Sequence, residues 1–310
     1  MISVVIPNWN GIVHLPSCLN ALRAQTHPEF EVIVADNASD DGSQELVQRE
    51  YPEFQLLALD RNYGFTGACN AGIRAAQGEI VVLLNNDTEA APDWLAQVAA
   101  AFERHPDVGS VASKMLLFDR RDTLHTAGDL YGTDGIPSNR GVWAKDTNQY
   151  TEGYVFSACG GAAAYRRAML DEVGLLDEDF FFSCEDVDLG WRAQLRGWRT
   201  VYAPAAIVYH HLAATGAGVT ASFHDGRNFI YVLVKDVPGF IWRRYWPKIA
   251  AAQLRLAGAA LRAWRGPAAR ARLRGQLAGL AAIPRLLHKR RAVQASRTVT
   301  DDYIESVLTG

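Results

Sequence analysis

The chain has 310 residues, 49% hydrophobic and 10% aromatic, with a formal net charge of -3. That is ample apolar material for one large or two modest packed domains, and the chain should fold on its own. Four widely spaced cysteines (Cys18, Cys69, Cys159 and Cys184) form no CxxC pair, which argues against a zinc knuckle or disulfide framework and favours a reducing cytosol.

The opening MISVVIPNWN lacks the basic and long apolar regions of a signal peptide, and no apolar run approaches the roughly 20 residues a spanning helix needs. The expectation is a protein that is soluble or attached to a surface. From the start, ISVVI reads as a strand and is followed by a helix with Leu15, Leu19 and Leu22 on one face. EVIVA leads into the turn-rich DNASDDGS and a short helix. FQLLAL leads into DRNYGFTG and a helix carrying Ala68, Cys69, Gly72, Ile73 and Ala76. EIVVLL leads into NNDTEA and a helix expected to start at Pro92, with Leu95, Val98 and Phe102 inward. Such β-turn-α units with continuous apolar strands predict a mostly parallel sheet covered on both faces.

Ligands of such sheets bind beyond the carboxyl ends of the strands, which places Asn8, Asn10, Asp36, Asn62 and Asn85 to Asp87 at the mouth of a cleft. Residues 117 to 150, rich in Gly, Asp, Asn and Thr, read as a long loop or small excursion. Order resumes with GYVFSACGGAAAYRRAML, FFFSCEDVDLGWRAQLRGW and the strand-like TVYAPAAIVYHH. After about residue 220 the pattern turns helical and basic. Residues 237 to 300 contain 14 Lys plus Arg and no Asp or Glu, leaving 17 bases and 34 acids in the rest of the chain.

Several short stretches carry chemistry-bearing side chains. Asp87 at a strand end, flanked by amides, suits Mg2+ or Mn2+ bound to a phosphate oxygen; equally, Asp87 and Thr88 could merely cap the following helix. Asp36 could accept the ring N-H of uracil or thymine, although DNASDDGS is also an ordinary turn. Gly64 and Gly67 allow close backbone approach at a helix N-terminus, or simply let that helix pack tightly; the spacing matches neither GxGxxG nor a P-loop. Glu185, Asp186 and Asp188 are either decoration of a helix start or the source of a general base. His210 and His211 are a bland pair, or one of them joins Asp87 on a metal.

Read together, VVIPNWNG (4 to 11), VIVADNASDDGS (32 to 43), RNYGFTGACNAG (61 to 72), VVLLNNDTE (81 to 89), GGAAAYRR (160 to 167), VGLLDEDFFFSCEDVDLGWR (173 to 192) and VYHH (208 to 211) resemble the family 2 inverting glycosyltransferases, most closely the bacterial rhamnosyltransferase-like branch. The resemblance covers roughly residues 1 to 225. It implies a GT-A fold, a Rossmann-like mostly parallel α/β sheet with flanking helices, over 1-225, followed by a basic amphipathic helical extension over 226-310.

It also implies a nucleotide-diphosphate sugar donor bordered by Pro7, Asn8, Asn10, Asp36, Asn62 and Gly64. Asn85, Asn86 and Asp87 would stand where the family carries Asp-x-Asp, with Asp87 the ligand of Mg2+ or Mn2+ and His210 a further ligand. Asp186 would be the base, with Glu185 beside it, and Gly160 and Gly161 would lie near the acceptor. The first carboxylate of Asp-x-Asp is an amide here, Asn85, which should lower metal affinity. The expected activity is transfer of L-rhamnose from dTDP-rhamnose to a lipid-linked or polysaccharide acceptor, in cell-wall or polysaccharide biosynthesis. The rivals are a glycosyltransferase using a UDP-sugar and a catalytically inactive nucleotide-sugar-binding or scaffolding protein. A sugar nucleotidylyltransferase would open with a Gly-rich activation loop, which VVIPNWNG lacks.

In the tail, residues 249 to 264 and 268 to 283 set Leu254, Leu261, Leu273, Leu277 and Leu280 against arginines. With Trp242, Trp246 and Trp264, this suits the anionic inner face of a cytoplasmic membrane. The alternative is a helical subdomain or homodimer contact that buries those leucines. No nucleic-acid recognition motif accompanies the charge.

Overall fold

The computed structural model describes residues 1–211 and 218–310. Its elements are, in order, β1 (Ile2–Asn8), α1 (Leu15–Arg23), β2 (Phe30–Asp36), α2 (Ser43–Glu50), β3 (Gln55–Ala58), α3 (Gly64–Ala75), β4 (Ile80–Leu84), β5 (Thr88–Ala90), α4 (Trp94–Arg104) and β6 (Val108–Leu117). Then follow β7 (Leu124–Thr126), β8 (Asp129–Tyr131), β9 (Pro137–Asn139), β10 (Gly153–Val155), β11 (Ala162–Arg166), α5 (Arg167–Val173), α6 (Glu185–Leu195) and β12 (Arg199–His210). The last helices are α7 (Val219–Lys235), α8 (Gly239–Arg262), α9 (Pro267–Ala281), α10 (Ile283–Ala295) and α11 (Asp301–Ser306).

The main path of the sheet runs β10-β12-β6-β11-β4-β1-β2-β3. Pairs β1/β2, β1/β4, β2/β3 and β6/β12 are parallel, whereas β11 lies antiparallel between β4 and β6. Every residue of β1 and β6 is buried, as the continuous apolar runs predict for strands covered on both faces. One face is packed by α1 and α4, around Leu19, Leu22, Trp94 and Val98; the other holds Cys69 and Ile73 of α3 and Leu189 of α6. Gly72 of α3 lies against Val5 where a Cβ would clash, so the small residues of that helix serve close packing on the sheet.

One expectation from the sequence is corrected and two are narrowed. Thr88 to Ala90 do not run toward a helix begun at Pro92: they form β5, antiparallel to the end of β12, and α4 starts at Trp94 with Asp93 at its N-cap. Capping by Asp87 and Thr88 is thereby excluded. Residues 117 to 150 are not a plain loop, for they hold β7 and the β8/β9 hairpin, whose three-residue strands are too short to show an alternating pattern. Finally, the helical pattern expected after about residue 220 begins with α7 at Val219; this helix runs unbroken across the boundary drawn at residue 225, and its N-terminal part lines the cleft described next.

Candidate active site

A cleft of about 560 Å3 opens beyond the carboxyl ends of β1 and β4. It is bordered by Pro7, Asn8, Asn62, Gly64, Asn85, Asn86, Asp87, Gly160, Gly161, Glu185, Asp186 and His210, twelve of the fourteen side chains and glycines singled out from the sequence. Asn10 and Asp36 are not among them. Asn10 is exposed, with its Oδ1 accepting from the Asp40 N-H at 2.9 Å.

Asp36 is 1% exposed and satisfied internally. Its Oδ1 accepts from the Ser39 N-H at 2.9 Å and Gln44 Nε2 at 2.7 Å, and its Oδ2 from Asn8 Nδ2 at 2.8 Å and the Ser39 hydroxyl at 2.7 Å. A carboxylate with both oxygens doubly engaged has little left for a base. It orients Asn8 instead, whose Oδ1 takes a 2.7 Å hydrogen bond from Asn86 Nδ2 at the cleft. The next residue, Asn37, reaches the cleft in its place. Asn37 also ties the 63–64 turn, accepting from the Tyr63 N-H at 2.9 Å and donating to the Gly64 carbonyl at 2.8 Å.

Gly64 has φ +75°, and a Cβ there would lie 2.5 Å from Phe181 Cδ2 and 2.6 Å from the Phe181 carbonyl oxygen. Gly64→Ala combines left-handed strain with that clash, so urea unfolding should show a loss of about 2 kcal/mol.

On the β4 side, pairing of β5 with β12 brings Asp87 next to His210, 123 residues later. Asp87 Oδ1 stands 3.1 Å from His210 Nε2, and the Asp87 carbonyl accepts from the His211 N-H at 2.9 Å. His211 stacks on Phe118 with ring centroids 3.5 Å apart. His125 of β7, which sequence reasoning missed, puts its Nδ1 3.1 Å from His210 Nδ1. Burial, and next the His210 charge, push His125 down to about 3, so it is a neutral ring. Asn85 Nδ2 lies 3.5 Å from His210 Nε2, and Asn85 Oδ1 is buried with no hydrogen-bond partner among the described residues.

These atoms fit a divalent cation. A carboxylate, an imidazole and an orphaned amide oxygen are the hard and borderline donors that Mg2+ or Mn2+ accepts. Among the described residues no group of three or more His, Cys, Asp and Glu is gathered to cage a metal, so the remaining positions would fall to water and phosphate oxygens.

On the far side, α6 begins with three acids. Asp186 Oδ2 accepts from the Gly160 N-H and Oδ1 from the Val187 N-H, both at 2.8 Å. Gly161 in turn accepts from the Asn85 N-H at 3.0 Å, so the Gly160-Gly161 turn links the Asp186 side of the cleft to the Asp87/His210 side. Glu185 and Asp129 stand close enough to act on Asp186 electrostatically; Asp129, another residue missed from sequence, accepts from Asn139 at 2.9 Å and the Ser157 hydroxyl at 3.3 Å.

Burial, then the charge of Asp186, drives Glu185 and Asp129 well above the usual carboxylate range. Burial also raises Asp186, but the two N-H groups draw it back. Of the three, Asp186 is raised least, so it gives up its proton most readily. Asp188 is no decoration of the helix start: it is fully buried and paired with Lys235 and Arg192.

Residues 3–174 match the family model for Glycosyl transferase family 2. An N-acetylglucosaminyl-diphospho-decaprenol L-rhamnosyltransferase of Mycobacterium tuberculosis is 28% identical over 269 residues, covering 78% of this chain and 87% of the relative. Among solved structures, GalNAc-T7 with UDP, GalNAc and Mn2+ superposes with a TM-score of 0.70 at 15% identity, over 99% of this chain and 56% of that one. A mannosyltransferase from Pyrobaculum calidifontis in complex with GDP-Man and Mn2+ gives 0.56 at 17% identity, over 99% and 82%. These likenesses establish the GT-A arrangement of sheet and helices, and the matched span, more than half of the chain, places this protein in glycosyltransferase family 2.

Proposed function

We propose that this glycosyltransferase moves L-rhamnose from dTDP-rhamnose, with inversion, to a lipid-linked or polysaccharide acceptor at the inner face of the cytoplasmic membrane. The observation that carries the enzymatic reading is one cleft in which the Gly160-Gly161 turn joins Asp186 to Asn85 and the Asp87/His210 pair. The rhamnosyl and lipid-linked parts draw on the mycobacterial relative, whose name gives both.

In this reading the Asn8 and Asn86 amides, the turn held by Asn37 and Asn62, and the N-terminus of α3 at Gly64 border the nucleotide. Asp87 and His210, with Asn85 Oδ1, would hold Mg2+ or Mn2+, whose chemistry when bound is Lewis-acid stabilisation of the diphosphate leaving group. Asp186 takes the proton of the acceptor hydroxyl as that oxygen bonds to the anomeric carbon and the carbon-to-diphosphate-oxygen bond breaks. Displacement from the opposite face inverts the centre. The Gly160 and Val187 N-H groups fix the carboxylate in position for this transfer.

The test is incubation with dTDP-rhamnose and a panel of UDP- and GDP-sugars, with polyprenyl-diphosphate-linked acceptors, in Mg2+, Mn2+ or chelator. Nucleoside diphosphate release with dTDP-rhamnose and acceptor together is the expected result. Turnover confined to a UDP-sugar would replace the donor assignment, and nucleotide binding by calorimetry without any turnover would favour an inactive binding protein.

A further inference from the structure

The leucine faces of the basic tail do not bury one another. α8 and α9, joined by the turn at 263–266, leave between them an open groove of about 530 Å3. Its walls are Leu254 and Leu261 of α8 and Leu277 and Leu280 of α9, and α7 supplies Ile230 and Leu233 below. The four wall leucines are 72%, 58%, 66% and 52% exposed, and Trp264 at the turn is 57% exposed. An apolar patch of this kind, on a chain otherwise able to bury its leucines, marks a surface that is covered in use.

Charge selects the cover. Arg262 and Arg265 adjoin Leu261 and Trp264 in sequence, and Arg270 and Arg274 stand seven and three positions before Leu277 on α9, on neighbouring turns of the same helix; all four are exposed, and residues 237 to 300 contain no acid. Among the described residues none of these four pairs with a carboxylate, whereas Arg244, Arg255, Arg272, Arg285, Lys289 and Arg297 do. A second copy would set arginine rim against arginine rim, which like-charge repulsion opposes. An anionic sheet with an apolar interior meets both features at once. No helix among the described residues is long and apolar enough to cross a membrane, so the contact is with the surface layer.

α7 ties this groove to the cleft. Its first eleven residues border the cleft through Thr220, Asp225 and Phe229, and the next residue, Ile230, already belongs to the groove. At 1.5 Å per residue, Asp225 and Leu233 are only about 12 Å apart along the helix axis.

We infer that the α8/α9 groove and its arginine rim dock on an anionic bilayer, seating the leucines and Trp264 at the acyl boundary and the arginines among lipid phosphates, so that the α7 side of the cleft sits at the membrane surface. This deepens the reading of a membrane-borne acceptor but stands on separate residues from the catalytic cleft.

The experiment is flotation of the full chain with vesicles of phosphatidylcholine alone or mixed with phosphatidylglycerol, at low and high salt. The protein should float with the mixed vesicles, poorly with neutral ones, and less as salt rises. The pairs Leu254→Asp with Leu277→Asp, and Arg270→Glu with Arg274→Glu, should each cut the bound fraction about tenfold or more. All four positions are exposed, so melting temperature should hold, and so should nucleoside diphosphate binding in the cleft.

The inference is overturned if the wild type fails to float with either vesicle, if both variant pairs float like the wild type, or if the leucine pair dissolves a dimer seen by sedimentation velocity while flotation is unchanged. Loss of flotation with intact cleft binding leaves the enzymatic reading standing; absence of turnover with intact flotation does the reverse.

Discussion

Asp186→Asn is expected to lower the rate of sugar transfer by about 10^3-fold while leaving nucleoside diphosphate binding unchanged by calorimetry. The amide is isosteric and can still accept the Gly160 N-H at 2.8 Å, so the turn and the cleft wall should persist. What is lost is the proton acceptor. Glu185→Gln should cost far less, since a glutamine resembles the protonated state in which burial and the neighbouring Asp186 already hold Glu185. Reversed outcomes, with Glu185→Gln inactive and Asp186→Asn active, would move the base by one residue.

The pH profile carries the same prediction. The folded-state value of Asp186 is raised above the ordinary 3.8 by burial, so the base is lost as pH falls through that raised value, and the acid limb of kcat should lie higher than an exposed aspartate would give. Because the ionised form is the one burial disfavours, Asp186 contributes less to stability above its ordinary range than below it. Asp186→Asn should therefore melt no lower than the wild type at neutral pH.

Much of this site was legible as fragments and little of it as a site. Strand-end positions follow from apolar runs breaking into Asn and Asp, which is why Asn8, Asn62 and Asn85 to Asp87 are found at one rim. Asp36 breaks the rule because a strand-end carboxylate beside Ser39 and Gln44 can satisfy itself, and sequence gives no sign of which acid turns inward. The Asp87-His210 approach depends on β5 lying against β12, a three-residue strand that no periodicity announces. Asp129 and His125 sit in equally short strands inside a stretch whose glycines and polar residues suggest a loop. In the tail the helical spacing was readable, but whether two amphipathic faces close on each other is decided by packing, and here they stay open.

Lys235→Met should be the most destabilising of these substitutions, at about 3–5 kcal/mol in denaturant unfolding, because it strands buried carboxylates. Lys235 is 3% exposed; its Nζ donates to Asp177 Oδ2 at 2.6 Å and to Asp188 Oδ1. Among the described residues, Asp188, itself fully buried, keeps only Arg192 at 2.9 Å when the lysine is gone, and Asp177 keeps Lys289 at 2.7 Å and the Asp179 N-H at 3.1 Å. Against a total stability of about 5–15 kcal/mol, this is a large share.

The pH dependence gives the loss a signature. Burial would raise both aspartates, but Lys235, with Arg192 at Asp188 and Lys289 at Asp177, holds them below the ordinary 3.8, so their contribution is present at neutral pH and lost as pH falls through the depressed values. Burial alone would lower Lys235, yet its aspartates raise it above the ordinary 10.5, so its contribution is complete below that value and lost only as pH climbs through the raised one. The wild type should thus keep a broad plateau, and Lys235→Met should lower it at neutral pH by an amount that shrinks as acid protonates the stranded aspartates.

Adding Asp188→Asn to Lys235→Met should recover part of the loss, since the partner charge then leaves as well. The network also joins α7 to α6, the helix whose first turn carries Asp186. Lys235→Met measured well below its melting point should therefore lower kcat more than it weakens donor binding, whereas a purely structural brace would leave kcat of the folded fraction untouched.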